Sequence, residues 1–162
     1  MIAVYAGKVA ADFVDYNNHM NDAAYAIAFS RSVDALMDRI GLDAAGRART
    51  GHTIYTLALQ IHYLHEVRRD AGLSVAVRIL ERDSRRLRLW LEMSAQEKLL
   101  ATCEQVLLCV TQGETGPRAA TFAPEVVAQL ADIEALHAGC PLPEGAGEGV
   151  GLRRRKQAPI GP

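Results

Sequence analysis

Asn21-Asp22-Ala23-Ala24-Tyr25-Ala26-Ile27-Ala28-Phe29-Ser30-Arg31-Ser32-Val33-Asp34-Ala35-Leu36-Met37-Asp38-Arg39-Ile40-Gly41 decides how the chain is read. Tyr25, Phe29, Val33, Leu36 and Ile40 recur at intervals of four, four, three and four, which puts them on one face of a helix. Asn21 and Asp22 are both good N-caps, and Gly41 supplies the left-handed stop. A helix of about 19 residues with a single apolar stripe needs a second layer to cover that stripe.

Downstream the period changes to two. Tyr55, Leu57, Leu59, Ile61 and Tyr63 alternate with Thr56, Ala58, Gln60 and His62, which marks a strand with one buried face. Leu73, Val75, Val77 and Ile79 repeat the pattern, as do Leu87, Leu89, Leu91 and Met93 against Arg86, Arg88, Trp90 and Glu92. Residues 99–111 are apolar on both faces apart from Glu104 and Gln105. Charged turns at 66–72, 81–84 and 96–98 join these four strands into an antiparallel meander.

Upstream, Val4, Val9, Phe13 and Val14 give residues 4–14 a weak alternation, read as a first strand. A loop rich in Ala, Gly and Arg is expected at 43–51, and a second helix at 124–138 opening on Pro124. The expected fold class is α+β: a five-stranded antiparallel sheet wrapped around one long helix, plus a C-terminal helix and tail. Residues 1–140 form one domain, and 141–162 contain nine Gly or Pro and the basic run Arg153-Arg154-Arg155-Lys156. One helix leaves the outer sheet face and an edge uncovered, so at least a homodimer is expected. Trp90 shares the outward face with Arg86, Arg88 and Glu92, which places it at a subunit contact or groove rather than in the core.

Composition removes several classes of partner. Eighteen basic residues stand against 19 acidic ones for a net charge of -1, so no overall field draws nucleic acid or an anionic membrane. No uninterrupted run of 18 apolar residues occurs, and a soluble, cytoplasmic chain is expected. Cys103, Cys109 and Cys140 are odd in number and lack C-x-x-C spacing, so reduced thiols are expected. The five histidines show no metal-binding spacing, and no metal is expected.

Asp15-Tyr16-Asn17-Asn18-His19-Met20-Asn21 carries the chemistry. It sets a carboxylate, amides and an imidazole just ahead of a helix N-terminus, where free backbone N–H groups favour negative charge. Asp15 can act as base or nucleophile, and amides near Asn21, Asp22 and Ala23 can bind the oxyanion formed when a thioester or ester is attacked. Plainer roles fit the same residues. Asp15 and Asn21 suit caps, Asn17 suits a turn, His19 suits a structural imidazole, and His65 with Glu66 suits a solvated strand end.

The order of elements around D-x-N-x-H-M-N, at Asp15, Asn17, His19, Met20 and Asn21, resembles the hotdog-fold thioesterases of the 4-hydroxybenzoyl-CoA thioesterase type over residues 4–112. The motif is also similar to the D-x-N-x-H-V-N of fatty acyl-ACP thioesterases. Together with Asp34-Ala35-Leu36-Met37-Asp38-Arg39-Ile40-Gly41-Leu42-Asp43, Tyr63-Leu64-His65-Glu66-Val67 and Leu100-Ala101-Thr102-Cys103-Glu104, it resembles the betainyl-CoA thioesterases of carnitine breakdown. That resemblance implies an acyl-CoA substrate, with CoA as part of the substrate and no separate cofactor. It implies a site shared across a homodimer or homotetramer, with Asp15, Asn17 and His19 in catalytic positions. The backbone N–H groups of Asp22 and Ala23 would bind the oxyanion, and Tyr16, Tyr25, Tyr63, His65 and Glu66 would contact the acyl group. Arg68, Arg69, Arg86 and Arg88 are candidates for the CoA phosphates, which favour Arg forks. The competing readings are a fatty acyl-CoA or acyl-ACP thioesterase, a non-catalytic acyl-CoA sensor, and an enoyl-CoA hydratase. Hydratases of this fold space their Asp and His one residue further apart than Asp15 and His19.

Overall fold

The computed structural model describes residues 1–151, so the basic run at 153–156 lies outside the described residues. The elements follow as β1 (Ile2–Lys8), a 3-10 turn (Ala11–Phe13), α1 (Asp22–Arg39), α2 (Ala44–Thr50), β2 (His52–Tyr63), β3 (Gly72–Arg82), β4 (Arg86–Ala95), β5 (Lys98–Gly113), β6 (Gly116–Ala119) and α3 (Pro124–Ala135). The strands are antiparallel in the order β1-β3-β4-β5-β2, and β6 pairs with β5 on the side opposite β2, since Thr111 faces both His52 and Arg118. Among the described residues no helix is long and apolar enough to cross a membrane.

In β3 and β4 the alternating side chains read from the sequence line the inner face. One rung, Ile2–Val77–Leu91–Cys103–Ile61, crosses all five main strands, and Val77, Leu91 and Cys103 are fully buried. α1 lies against this face with Ala28, Phe29, Val33 and Leu36 buried, so the stripe and the sheet cover one another. Each such Leu or Phe contributes about 1.5–3 kcal/mol relative to an exposed one. Asn21 caps the helix by accepting from Ala24 N–H at 2.9 Å, and Gly41 takes the expected left-handed turn at φ 82°.

Three segments differ from expectation for local reasons. The first strand ends at Lys8; Val9 still bonds residues 70 and 71, but the chain then turns through Ala11–Phe13 and tucks Phe13 under the Arg31 guanidinium. Residues 44–50 form α2 rather than loop, with Asp43 accepting from Gly46 N–H at 2.7 Å and Gly51 closing the end. A Cβ at position 46 would overlap the Gly41 carbonyl, so the close return of the chain requires glycine there. β2 does not bury one face: it is an edge strand, with Tyr55, Leu57, Leu59 and Tyr63 all at least 43% exposed.

The segment after α3 is a strap across the outer face. It follows the outward rung Arg78–Trp90–Glu104–Gln60. Arg78 donates to the Cys140 and Pro141 carbonyls, Gly147 N–H donates to Glu104, and Gln60 donates to the Glu148 carbonyl. Pro143, Glu144 and Gly145 share a pocket wall with Trp90, which is therefore only 3% exposed. Trp90 does face outward, but the chain's own strap covers it, which corrects its assignment to a subunit contact or CoA groove.

Candidate active site

The loop before α1 is a tight excursion clamped at its base. Val14 pairs with Met20, Asp15 N–H donates to the His19 carbonyl at 2.9 Å, and Asn18 N–H donates to the Asp15 carbonyl at 3.0 Å. Asn18 sits at φ 61°, a conformation Asn tolerates. The Asp15 carboxylate ties the turn further: Oδ1 accepts from Asn17 N–H at 2.8 Å and His19 N–H at 3.2 Å. Oδ2 takes no hydrogen bond among the described residues, and Asp15 is exposed. One carboxylate oxygen therefore holds the loop and the other is open to chemistry.

The same clamp delivers the chain to the α1 tip. Asn21 N–H and side-chain amide both donate to the Phe13 carbonyl. In the first turn, Ala24 N–H is capped by Asn21 and Ala23 N–H is taken by the Asp22 carboxylate at 2.9 Å. The Asp22 backbone N–H keeps no acceptor among the described residues. Of the two amides named from sequence, Asp22 is thus the available oxyanion donor and Ala23 is occupied.

His19 reaches Asp15 through its backbone N–H only. Its imidazole Nδ1 lies 3.4 Å from Glu66 Oε2, which ties this loop to the β2–β3 connection, while Nε2 is buried without a partner. Asn17 enters the turn through its backbone, and Tyr16 projects from the loop tip, 96% exposed and away from the cleft.

A cleft of about 310 Å³ opens at the helix tip, lined by Asp22, Tyr25, Tyr63, His65 and Glu66, with Met20 and Leu64 completing it. It thus gathers four of the five acyl-contact residues expected from sequence. Tyr25 and Tyr63 meet edge to face, 5.2 Å apart at 85°. Tyr25 donates to the His65 carbonyl and Tyr63 to the Asp22 carbonyl, each at 3.2 Å. Burial raises the pKa of both phenols; neighbouring Tyr63 and Glu66 add to the rise at Tyr25, and Asp22 adds to it at Tyr63. His65 Nδ1 sits 2.9 Å from the Leu99 carbonyl, so Nδ1 carries a proton and donates it to that oxygen. Sequence reasoning missed the Asp22 carboxylate and the Leu99 carbonyl, which no motif marks.

The four arginines proposed for CoA phosphates divide. Arg88 is paired with Glu104 and Glu81, Arg86 with Asp83, and Arg69 with Asp70, so each already has a carboxylate. Arg68 is exposed, has no carboxylate partner among the described residues, and its backbone bridges to His19. The two buried thiols are poor nucleophiles: burial pushes Cys103 up to about 12 and Cys109 up to about 11. Among the described residues no three His, Cys, Asp or Glu side chains are grouped to hold a metal ion.

Known proteins resemble the chain in sequence and in fold. Residues 9–130 match the family model described as the thioesterase-like superfamily. A betainyl-CoA thioesterase of Pseudomonas aeruginosa is 38% identical, the match covering 94% of this chain and 96% of that protein. An L-carnitine dehydrogenase/betainyl-CoA thioesterase of Ruegeria pomeroyi is 37% identical over 92% of this chain, which spans 30% of that longer protein. Among solved structures, a Staphylococcus aureus protein in complex with CoA superposes with a TM-score of 0.85 at 28% identity, covering 94% of this chain and 98% of that one. The 1,4-dihydroxy-2-naphthoyl-CoA thioesterase of Synechocystis shares the fold at a TM-score of 0.69 and 15% identity, over 80% of this chain and 96% of that one. With a matching family model over most of its length and an antiparallel sheet packed on one long helix, the chain belongs to the thioesterase-like superfamily, as a hotdog-fold acyl-CoA thioesterase.

Proposed function

We propose that the chain hydrolyses betainyl-CoA to betaine and CoA at the α1 tip, with Asp15 as the catalytic carboxylate. The observation that carries this reading is the division of labour before and at the helix tip: Asp15 Oδ1 is fixed by two backbone amides, and among the described residues Oδ2 is open and the Asp22 N–H has no acceptor. Asp15 lies outside the lining of the cleft at the α1 tip, so the reading requires a thioester carbonyl seated between the two, its carbon toward the Asp15 carboxylate and its oxygen toward the Asp22 amide. Asp15 then either draws a proton from attacking water or attacks the carbonyl directly to give a mixed anhydride that water opens. Both routes release the CoA thiol, and neither calls on a metal or a separate cofactor.

The site is proposed to be completed by a second copy joined along β2. That strand, His52-Thr53-Ile54-Tyr55-Thr56-Leu57-Ala58-Leu59-Gln60-Ile61-His62-Tyr63, pairs only with β5 among the described residues and contains no Lys, Arg, Asp, Glu or Pro to protect its free edge. Arg68, beside the Asp15 loop, is the proposed contact for a CoA phosphate. Three free cysteines and a CoA-linked substrate accord with a cytoplasmic setting.

Thiol release by the purified protein from betainyl-, acetyl-, 4-hydroxybenzoyl- and long-chain acyl-CoA tests the substrate. The expected result is the highest kcat/KM with betainyl-CoA. Equal or better turnover of acetyl-CoA overturns the betainyl reading, and a long-chain preference favours the fatty acyl alternative.

A further inference from the structure

Resting on that reading of the site, we propose that the cleft is a quaternary-ammonium box in which the Asp22 carboxylate and the Tyr63 ring, backed by Tyr25 and Glu66, select a cationic acyl group. Both tyrosine hydroxyls are spent on backbone carbonyls, so the cleft presents ring carbon rather than hydroxyl to a ligand. Tyr63 is half exposed, and Tyr25 locks its ring edge to face from beneath. Two carboxylates share the lining with no Lys or Arg. Glu66 also faces His19 Nδ1, which leaves Asp22 as the lining carboxylate without a cationic partner among the described residues. A neutral acyl chain would strip water from Asp22 and return nothing, whereas a trimethylammonium supplies its counter-charge and lays methyl groups on the ring. Such a cation donates no hydrogen bond, so ring faces and a point charge are the groups that suit it. The elevated tyrosine pKa values, to which Asp22 and Glu66 contribute after burial, reflect the same negative surroundings.

The position of Asp22 also answers a difficulty at the helix tip. Its carboxylate accepts from Ala23 N–H in the same first turn as the amide that would bind a developing oxyanion, and a negative charge so near opposes that step. In a betainyl thioester a single methylene separates the ammonium nitrogen from the carbonyl carbon. Asp22 can therefore hold the cation with its side chain and the oxyanion with its backbone N–H, and the cation screens one negative charge from the other.

The test compares betainyl-CoA with 3,3-dimethylbutanoyl-CoA, the isostere in which a quaternary carbon replaces the charged nitrogen. The wild-type protein is expected to prefer the cation in kcat/KM by at least about 10-fold. Asp22→Asn and Tyr63→Leu bring that ratio toward one, while Tyr63→Phe, which keeps the ring, preserves most of it. The ratio is internal to each preparation, so loss of folded protein cancels. Inhibition of the wild-type protein by tetramethylammonium and not by neopentyl alcohol reads the same box without any substitution. A wild-type ratio near one with both thioesters cleaved, or a ratio unmoved in Asp22→Asn and Tyr63→Leu, overturns the box alone. Cleavage of other acyl-CoAs with neither of these two cleaved overturns the betainyl reading and the box with it.

Discussion

Asp15→Asn lowers kcat by about 10²- to 10⁴-fold, the range a positioned carboxylate supplies in proton transfer, while acyl-CoA still binds. The substitution is chosen because asparagine keeps the Oδ1 acceptor for the Asn17 and His19 amides, so the loop and the α1 entry hold their shape. What it removes is the charge and basicity of the second oxygen. Residual turnover is expected, because an oriented amide at Asp22, in its proposed oxyanion role, would supply about 3–4 kcal/mol whether or not the carboxylate is present. Asp15→Ala is the control in the other direction: it loses the loop acceptor too, and should weaken binding as well as turnover. Steady-state thiol release with direct titration of the thioester separates the two. Full activity in Asp15→Asn leaves Asp15 a turn-former only, and absence of turnover in the wild-type protein with tight binding points to a sensor.

If the proposed dimer forms along β2, placing lysines there, as Leu57→Lys with Leu59→Lys, yields a chain that elutes at its own mass of 17.6 kDa and loses most of its hydrolase activity. The two leucines are 56% and 43% exposed in the protomer, far more than large aliphatic side chains in a finished surface strand of this length need to be. In a two-fold pairing along β2 each lysine meets its symmetry mate's surroundings, so the pair of substitutions places four charges at one seam. Like charges brought together at an interface cost several kcal/mol, enough to weaken association by about two orders of magnitude or more. Light scattering across a dilution series, with activity measured on the same samples, reads both effects. A monomeric variant with undiminished turnover would show that one chain carries a whole site.

α1, β3 and β4 were legible from residue spacing because each buries one face against one partner, so its period of 3.6 or two survives in the sequence. β2 shows the same alternation, but a bulge between Thr56 and Ala58 shifts its register, and as the edge strand it stays largely exposed. α2 and β6, at seven and four residues, are too short to display a period. At the site, Asp15, Asn21 and the helix tip were readable since they are neighbours in sequence and their caps are local. The contacts that refine the chemistry are long-range. His19 on Glu66, Tyr63 on the Asp22 carbonyl, and His65 on the Leu99 carbonyl join residues whose proximity only the fold creates. Arg88 likewise looked free for phosphate until pairing across β4 and β5 placed Glu104 beside it. Trp90 could be assigned to the outward face by alternation, whereas its cover comes from a strap about fifty residues later, beyond the reach of local pattern.

A structure of the Asp15→Asn protein soaked with betainyl-CoA measures most directly whether one pocket holds both the attacking carboxylate and the oxyanion donor. The expected complex has the thioester carbonyl oxygen about 2.7–3.2 Å from the Asp22 backbone nitrogen, with the substituted side chain at position 15 facing the carbonyl carbon or a water poised against it. A betainyl group bound away from the α1 tip, with its carbonyl out of reach of both residues, would contradict this account.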